Sequence, residues 1–188
     1  MTTTTMTTII PTSTEGTTMS KITALSISVG ILGMVSTLIT ATVWPLPVWV
    51  LFLAWASFFF VGSGVPGLLK SVACNWAGIV IATATLLSVQ ASGSAVLLSI
   101  AVGVGSLVMV QVSRLPWLSA TPAIVFGFAM TVGTIAATGK GITTAGFDHP
   151  ALTAAVTAAV GACFGLASEW GAGLIGRLRA PETATAAG

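Results

Sequence analysis

The sequence predicts an all-α polytopic membrane protein with six transmembrane helices. Three observations carry that prediction: a near-absence of charge, a series of apolar runs of crossing length, and a one-sided placement of lysine and arginine. Only 5% of the 188 residues are charged and 55% are hydrophobic, with a mean hydropathy of +1.04, whereas an ordinary soluble domain carries about 25% charged residues. Six basic and four acidic side chains cannot coat a soluble fold of this size, so lipid has to cover it. The formal charge of +2 is spread over single residues, with no basic patch to neutralise phosphates, which argues against nucleic acid as a partner.

Residues 1–20, MTTTTMTTIIPTSTEGTTMS, form a threonine-rich low-complexity stretch. It lacks the basic start and apolar core of a secretory signal and reads as a retained, disordered cytoplasmic tail. The first apolar run, about Ile22 to Val43, ends at Trp44-Pro45-Leu46-Pro47; the second, about Val48 to Val61, is short and aromatic and ends at GSGVPG. The third spans about Leu69 to Val89, and a QASGS turn leads to the fourth, about Ala95 to Val112. SRLPW closes the fourth. The fifth runs from about Thr121 to Thr138 with Ser119 as its cap, and the sixth from about Pro150 to Gly176. Each approaches the 17 to 25 residues or so that cross a bilayer. The transmembrane domain is thus expected over residues 21–179, with 180–188 a second disordered tail behind Pro181.

Cytoplasmic loops are enriched in Lys and Arg, which tests the count. With six spans, Lys21, Lys70, Arg114, Arg177 and Arg179 share one side and Lys140 alone occupies the other. Both termini are therefore expected in the cytoplasm, with Lys70 marking the cytoplasmic start of span three.

The polar residues inside the spans are the candidate site. In span six Thr153, Thr157, Gly161, Gly165, Glu169 and Gly173 recur every four residues, and in span three Lys70, Cys74, Gly78 and Ala82 do the same, so each set forms one ridge. Gly78, Gly161 and Gly165 read as helix-packing positions, since small residues let helix backbones approach in lipid. If the ridges face each other, Lys70 and Glu169 can pair, relieving the insertion cost of a mid-membrane acid, about 2.5–3.5 kcal/mol. Glu169 has a second reading as an interfacial residue beside Trp170. Asn75 reads first as an interhelical hydrogen-bonding residue and second as a solute contact. Its neighbour Trp76 reads as packing.

Little supports enzyme chemistry. The single histidine, His149, stands in Asp148-His149-Pro150, where Asp148 reads as a helix N-cap and Pro150 as a first-turn residue. Cys74 and Cys163 are isolated in apolar helices, so no metal site is expected. GKG at 139–141 lacks the strand, spacing and hydroxyl residue of a phosphate loop, and VGVGS at 102–106 lies inside a span. No catalytic residue and no cofactor are expected.

The two halves resemble each other: WASFFFVGSG precedes span three as VFGFAMTVGT precedes span six. Two three-span repeats would be inverted, an arrangement frequent in transporters, where substrate passes near mid-membrane at the repeat interface. Trp55-Ala56-Ser57-Phe58, the glycine-rich turn before Leu69-Lys70, the run from Thr121-Pro122 to Phe126-Gly127, and Gly161-Ala162-Cys163-Phe164-Gly165 resemble the family labelled domain of unknown function 1097. The resemblance covers most of residues 22–176 and implies a small bacterial inner-membrane protein, with no established activity to carry over.

The expected function is a channel or facilitator for a small, uncharged solute of the urea, short-amide or ammonia type, with formate as an anionic variant. Trp55, Phe58, Phe59 and Phe60 would form a constriction against Phe126 and Phe128, and Asn75 and Glu169 would contact the solute. Scarcity of buried charge argues against an ion-coupled pump. The alternative is a non-transporting membrane subunit that scaffolds a larger complex. Small-residue faces on a chain this short favour a cyclic homo-oligomer in the bilayer.

The charge asymmetry generates a topological prediction. In a background lacking Cys74 and Cys163, Thr144→Cys should react with an impermeant thiol reagent in intact cells and Thr5→Cys should not. Labelling of Thr5→Cys would overturn the orientation.

Overall fold

The structure, a computed structural model, describes residues 20–178. The expected tails at 1–20 and 180–188 lie outside the described residues, Ser20 excepted. Among the described residues the chain forms six α-helices: α1 (Lys21–Thr42), α2 (Val48–Val61), α3 (Gly64–Val89), α4 (Ala95–Val112), α5 (Thr121–Thr138) and α6 (Pro150–Leu178). Short 3-10 turns at Pro116–Leu118 and Gly146–Asp148 precede α5 and α6. Five helices are long and apolar enough to cross a membrane, and α2, at 14 residues, is a shorter apolar helix.

Local chemistry accounts for the boundaries. Ser20 caps α1 by accepting the Thr23 amide at 3.2 Å, and the two prolines of WPLP separate α1 from α2 because neither can donate to a continuing helix. α3 begins at Gly64, earlier than the Leu69 expected, because Pro66 falls in the first turn, where a missing N–H costs nothing. The α2–α3 junction is tight: a Cβ on Gly67 would lie 2.7 Å from the Gly62 carbonyl carbon. α4 is capped by the Ser94 hydroxyl, 3.4 Å from the Leu97 amide. α5 starts from Ala120 with no side-chain cap, so Ser119 does not serve. It stops at Gly139, whose φ of 68° is the left-handed geometry of a helix C-terminus. Nor does Asp148 cap α6. Its carboxylate takes Lys140 at 2.7 Å, and the His149 Nδ1 accepts the Ala151 amide at 3.2 Å in its place.

α3 and α6 form the centre, each packed on the other and on both α2 and α5, while α1 lies against α6 and α4 against α3. The outer pair buries least. Glycine sets the closest contacts. A Cβ on Gly78 of α3 would overlap the Ile124 carbonyl of α5, and one on Gly127 of α5 would overlap the Asn75 carbonyl of α3. On the other side, a Cβ on Gly161 of α6 would strike the Leu51 carbonyl of α2 and come 2.9 Å from Ala54 Cβ. Gly165 faces the Phe58 ring at 2.6 Å from the same imagined atom. In lipid, helices associate through such packing and not through hydrophobic transfer.

Cross-links fix which helix ends lie together. The Glu169 carboxylate near the end of α6 accepts the Gly64 amide at the start of α3 at 2.7 Å. Glu169 and Arg177 line one cleft with Lys21 at the start of α1. The Cys74 thiol donates to the Trp117 carbonyl at 3.8 Å, bringing the α4–α5 connection to the same end.

These contacts predict a graded glycine series. Gly78→Ala and Gly161→Ala push a methyl into a neighbouring backbone and should cost about 1–3 kcal/mol or more, read as a lower melting temperature in detergent. Gly30→Ala, with nothing within 4 Å of the new methyl, should be neutral or slightly stabilising.

Candidate functional site

Most polar groups inside the bundle are satisfied by their own helix. The hydroxyls of Thr131, Thr134 and Thr157 donate to carbonyls four residues back, at 3.2, 2.7 and 2.7 Å. Such bonds make a hydroxyl inexpensive in an apolar interior. Attention therefore falls on the groups that reach between helices.

Two cross-links leave α2. The indole of Trp55, itself buried, donates to the Ser168 hydroxyl of α6 at 3.0 Å, and its rings pack on Phe52 and Phe164 at 5.7 Å between centroids. The Ser57 hydroxyl accepts from Ser71 of α3 at 2.9 Å. Ser71 in turn accepts from the Asn75 amide nitrogen at 3.5 Å. All three residues of the Ser57–Ser71–Asn75 chain are 0% exposed, yet the Asn75 Oδ1 has no partner. Ser71 engages only one end of the group, so one end of the amide is unpartnered whichever way it is turned: the oxygen as placed here, the nitrogen if it were turned over. An orphaned amide end costs about 1–3 kcal/mol.

The expected site residues separate into two groups. Trp55, Phe58 and Asn75 are in the interior. Phe126 is half-buried against the cluster that holds Val50, Ala54, Ile79 and Met130, and Phe128 sits in a second cluster with Cys74 and Ile124. Phe59 points outward at 43% exposure, as does Phe60 at 59%. Steps of about 100° per residue carry Phe59 and Phe60 off the face that buries Phe58, so the four-aromatic constriction expected of α2 does not assemble within this chain. Trp76 is half-exposed and donates to the Ala155 carbonyl of α6 at 3.1 Å.

Lys70 and Glu169 do not pair. The Lys140–Asp148 bridge is the ion pair found among the described residues, and Glu169 instead takes the amide of Gly64. The first turn of α3 presents free N–H groups and the positive end of the helix dipole, which compete well for a nearby carboxylate. Lys70, one turn further on, remains half-buried. Among the described residues no three His, Cys, Asp or Glu side chains gather where a metal could bind.

Sequence reasoning missed Ser71 and Ser57. The four-residue spacing of Ser71 and Asn75 was a usable signal, since it places two polar side chains on one helical face. Ser57 carried no such signal, being a lone hydroxyl amid aromatics that only the α2–α3 contact brings into line.

Helices of crossing length packed around a buried polar chain define an α-helical protein of membrane type. By comparison with known families, the chain belongs to the family described as protein of unknown function (DUF1097), whose model matches residues 26–173. No curated protein and no solved structure matches it.

The orphaned amide gives a direct prediction. Asn75→Leu, which removes the unpaired polar end at similar volume, should raise the melting temperature, since replacing an unsatisfied buried group by an apolar one is neutral to stabilising. Ser71→Ala, which strips Asn75 of its remaining partner, should lower it.

Proposed function

We propose that this protein is a membrane facilitator for a small, uncharged, hydrogen-bonding solute of the urea, short-amide or ammonia type, bound mid-bundle at Asn75. One observation carries the reading: a fully buried amide whose Oδ1 has no partner. A solute N–H would complete the set, donating to Oδ1 while the Ser57 and Ser71 hydroxyls orient the amide, and Trp55 and Phe58 would supply the apolar walls. The buried polar residues among those described are serine, threonine and asparagine only, which favours a neutral solute over an ion. Movement then follows the solute gradient without coupling.

The arrangement of helices supports six spans in two inverted three-helix repeats. The start of α3 lies at the same end as the start of α1, so α2 has to return the chain across the layer despite its length of about 21 Å at 1.5 Å per residue. Exchanging α1, α2 and α3 for α4, α5 and α6 maps α3–α5 onto α2–α6, α1–α6 onto α3–α4 and α2–α3 onto α5–α6, and carries α3–α6 and α2–α5 onto themselves. Burial follows the same exchange. Val50, Leu51, Ala54, Trp55, Ser57 and Phe58 fall on Ala123, Ile124, Gly127, Phe128, Met130 and Thr131, all buried. The Gly78–Ile124 contact falls on Gly161–Leu51. This register sets Leu51 against Ile124, three residues from the pairing that the WASFFFVGSG and VFGFAMTVGT strings suggest. Asn75 falls on Ala158, so the polar site exists in one repeat only. A bacterial inner membrane, cytoplasmic termini and a homo-oligomer complete the proposal, resting on charge placement and small-residue faces.

In liposomes containing the pure protein, swelling with urea, formamide, acetamide or glycerol should exceed that of empty vesicles for at least one solute. Asn75→Leu should cut that excess roughly tenfold, the worth of one hydrogen bond of about 1.4 kcal/mol, while Phe59→Ala, on the outer face, should leave it unchanged. Rates equal to empty vesicles for every solute, formate and ammonia included, would favour the membrane-scaffold alternative.

A further inference from the structure

The glycines at 78, 105, 127, 133, 161, 165 and 171 lie against a neighbouring helix, but Gly173 and Gly176 of α6 do not. A Cβ added at either meets nothing within 4 Å. A helical glycine costs about 1 kcal/mol relative to alanine, and here no helix contact offsets it. The space they leave is part of a cleft of about 500 Å³ between α1 and α6, floored by Ala24, Leu25, Ala172 and Gly173. Two cations, Lys21 and Arg177, stand on its walls, both exposed and, among the described residues, neither in an ion pair. The acid that also lines it, Glu169, already accepts the Gly64 amide, where the positive end of α3 offsets its charge. The cleft therefore combines an apolar floor with a net cationic rim. From Glu169 to Arg177 it extends along α6 for about 12 Å at 1.5 Å per residue, reaching the residue before Leu178, the last described residue of the helix. In a bilayer that places the cations at headgroup level and the floor at the level of the first acyl carbons.

We infer that this cleft is a binding site for one anionic phospholipid, its phosphate held by Lys21 and Arg177 and an acyl chain lying over Ala172 and Gly173. Charge complementarity selects the occupant: a basic pocket between membrane helices suits an acidic headgroup, and the side-chain-free strip on α6 is shaped for a chain and not for a further helix side chain. A zwitterionic lipid fills the floor but gains nothing net from the rim.

The test uses the full chain in mild detergent, with phosphatidylglycerol or phosphatidylcholine added at equal mole fraction. Phosphatidylglycerol should raise the melting temperature several degrees more than phosphatidylcholine, and native mass spectrometry should retain one such lipid per chain. The double variant Lys21→Gln/Arg177→Gln should abolish the difference. So should Gly173→Leu, which fills the floor and leaves the charges alone; Ala172→Leu serves if that variant does not fold. Arg114→Gln, a cation at the same end but outside the cleft, should preserve it. Equal effects of the two lipids on the wild type would overturn the site. So would a preference that survives the double variant, or one that Arg114→Gln removes as fully. Equal stabilisation by inorganic phosphate alone would overturn the lipid as occupant.

Discussion

Backbone-to-backbone contact at glycine is the constraint on which the rest of this structure depends. Where Gly78 meets the Ile124 carbonyl and Gly161 meets the Leu51 carbonyl, no side chain separates the helices, and each pair is drawn as close as its main chains allow. Everything else in the centre is placed by those contacts. They set α3 and α6 between α2 and α5, align Ser57 with Ser71, and bring the Trp55 indole to Ser168. In a bilayer, with no gain from transferring side chains out of water, this close packing replaces the hydrophobic core of a soluble domain.

The bundle has two unlike ends. At one, the Glu169–Gly64 bond and the Cys74–Trp117 contact tie two helices and a connection together, with Lys21 and Arg177 nearby. At the other, an exposed bridge joins Lys140 to Asp148 within a single loop, and exposed pairs of this kind contribute little. The interior between them is nearly free of polar cost, since most of its hydroxyls bond to their own helices and Ser71 bonds across to Ser57. Asn75 is the exception: it holds Ser71 at one end and leaves its Oδ1 unpaired, at a cost of about 1–3 kcal/mol.

Much of the helical layout could be read from the chain. Apolar run lengths and the prolines at 45, 47 and 116 bound the helices to within a few residues. The start of α3 is the main difference, because a proline in the first turn looks like a breaker in the sequence and is neutral in the structure. The four-residue recurrence of small side chains pointed to contact faces, although Gly173 belongs to the same ridge as Gly161 and Gly165 and touches nothing. Spacing identifies a face; it does not say how far along that face the neighbouring helix extends.

By itself, then, the sequence determined solvent, helix content and the approximate ends of each helix, because these follow from composition and from local backbone chemistry. Which residues meet was decided only in three dimensions. Lys70 and Glu169 have complementary charge, yet the carboxylate goes to a helix N-terminus whose amides lie nearer. Phe58 and Phe59 are adjacent and chemically identical, yet one is buried and the other faces outward, because a step of about 100° round a helix separates them. Asn75 could have found a partner on any neighbour; only the packing of α5 against its backbone and of α2 against Ser71 leaves its Oδ1 alone. Partner choice depends on helix rotation and translation, and these are properties of the assembled bundle that no single segment of chain contains.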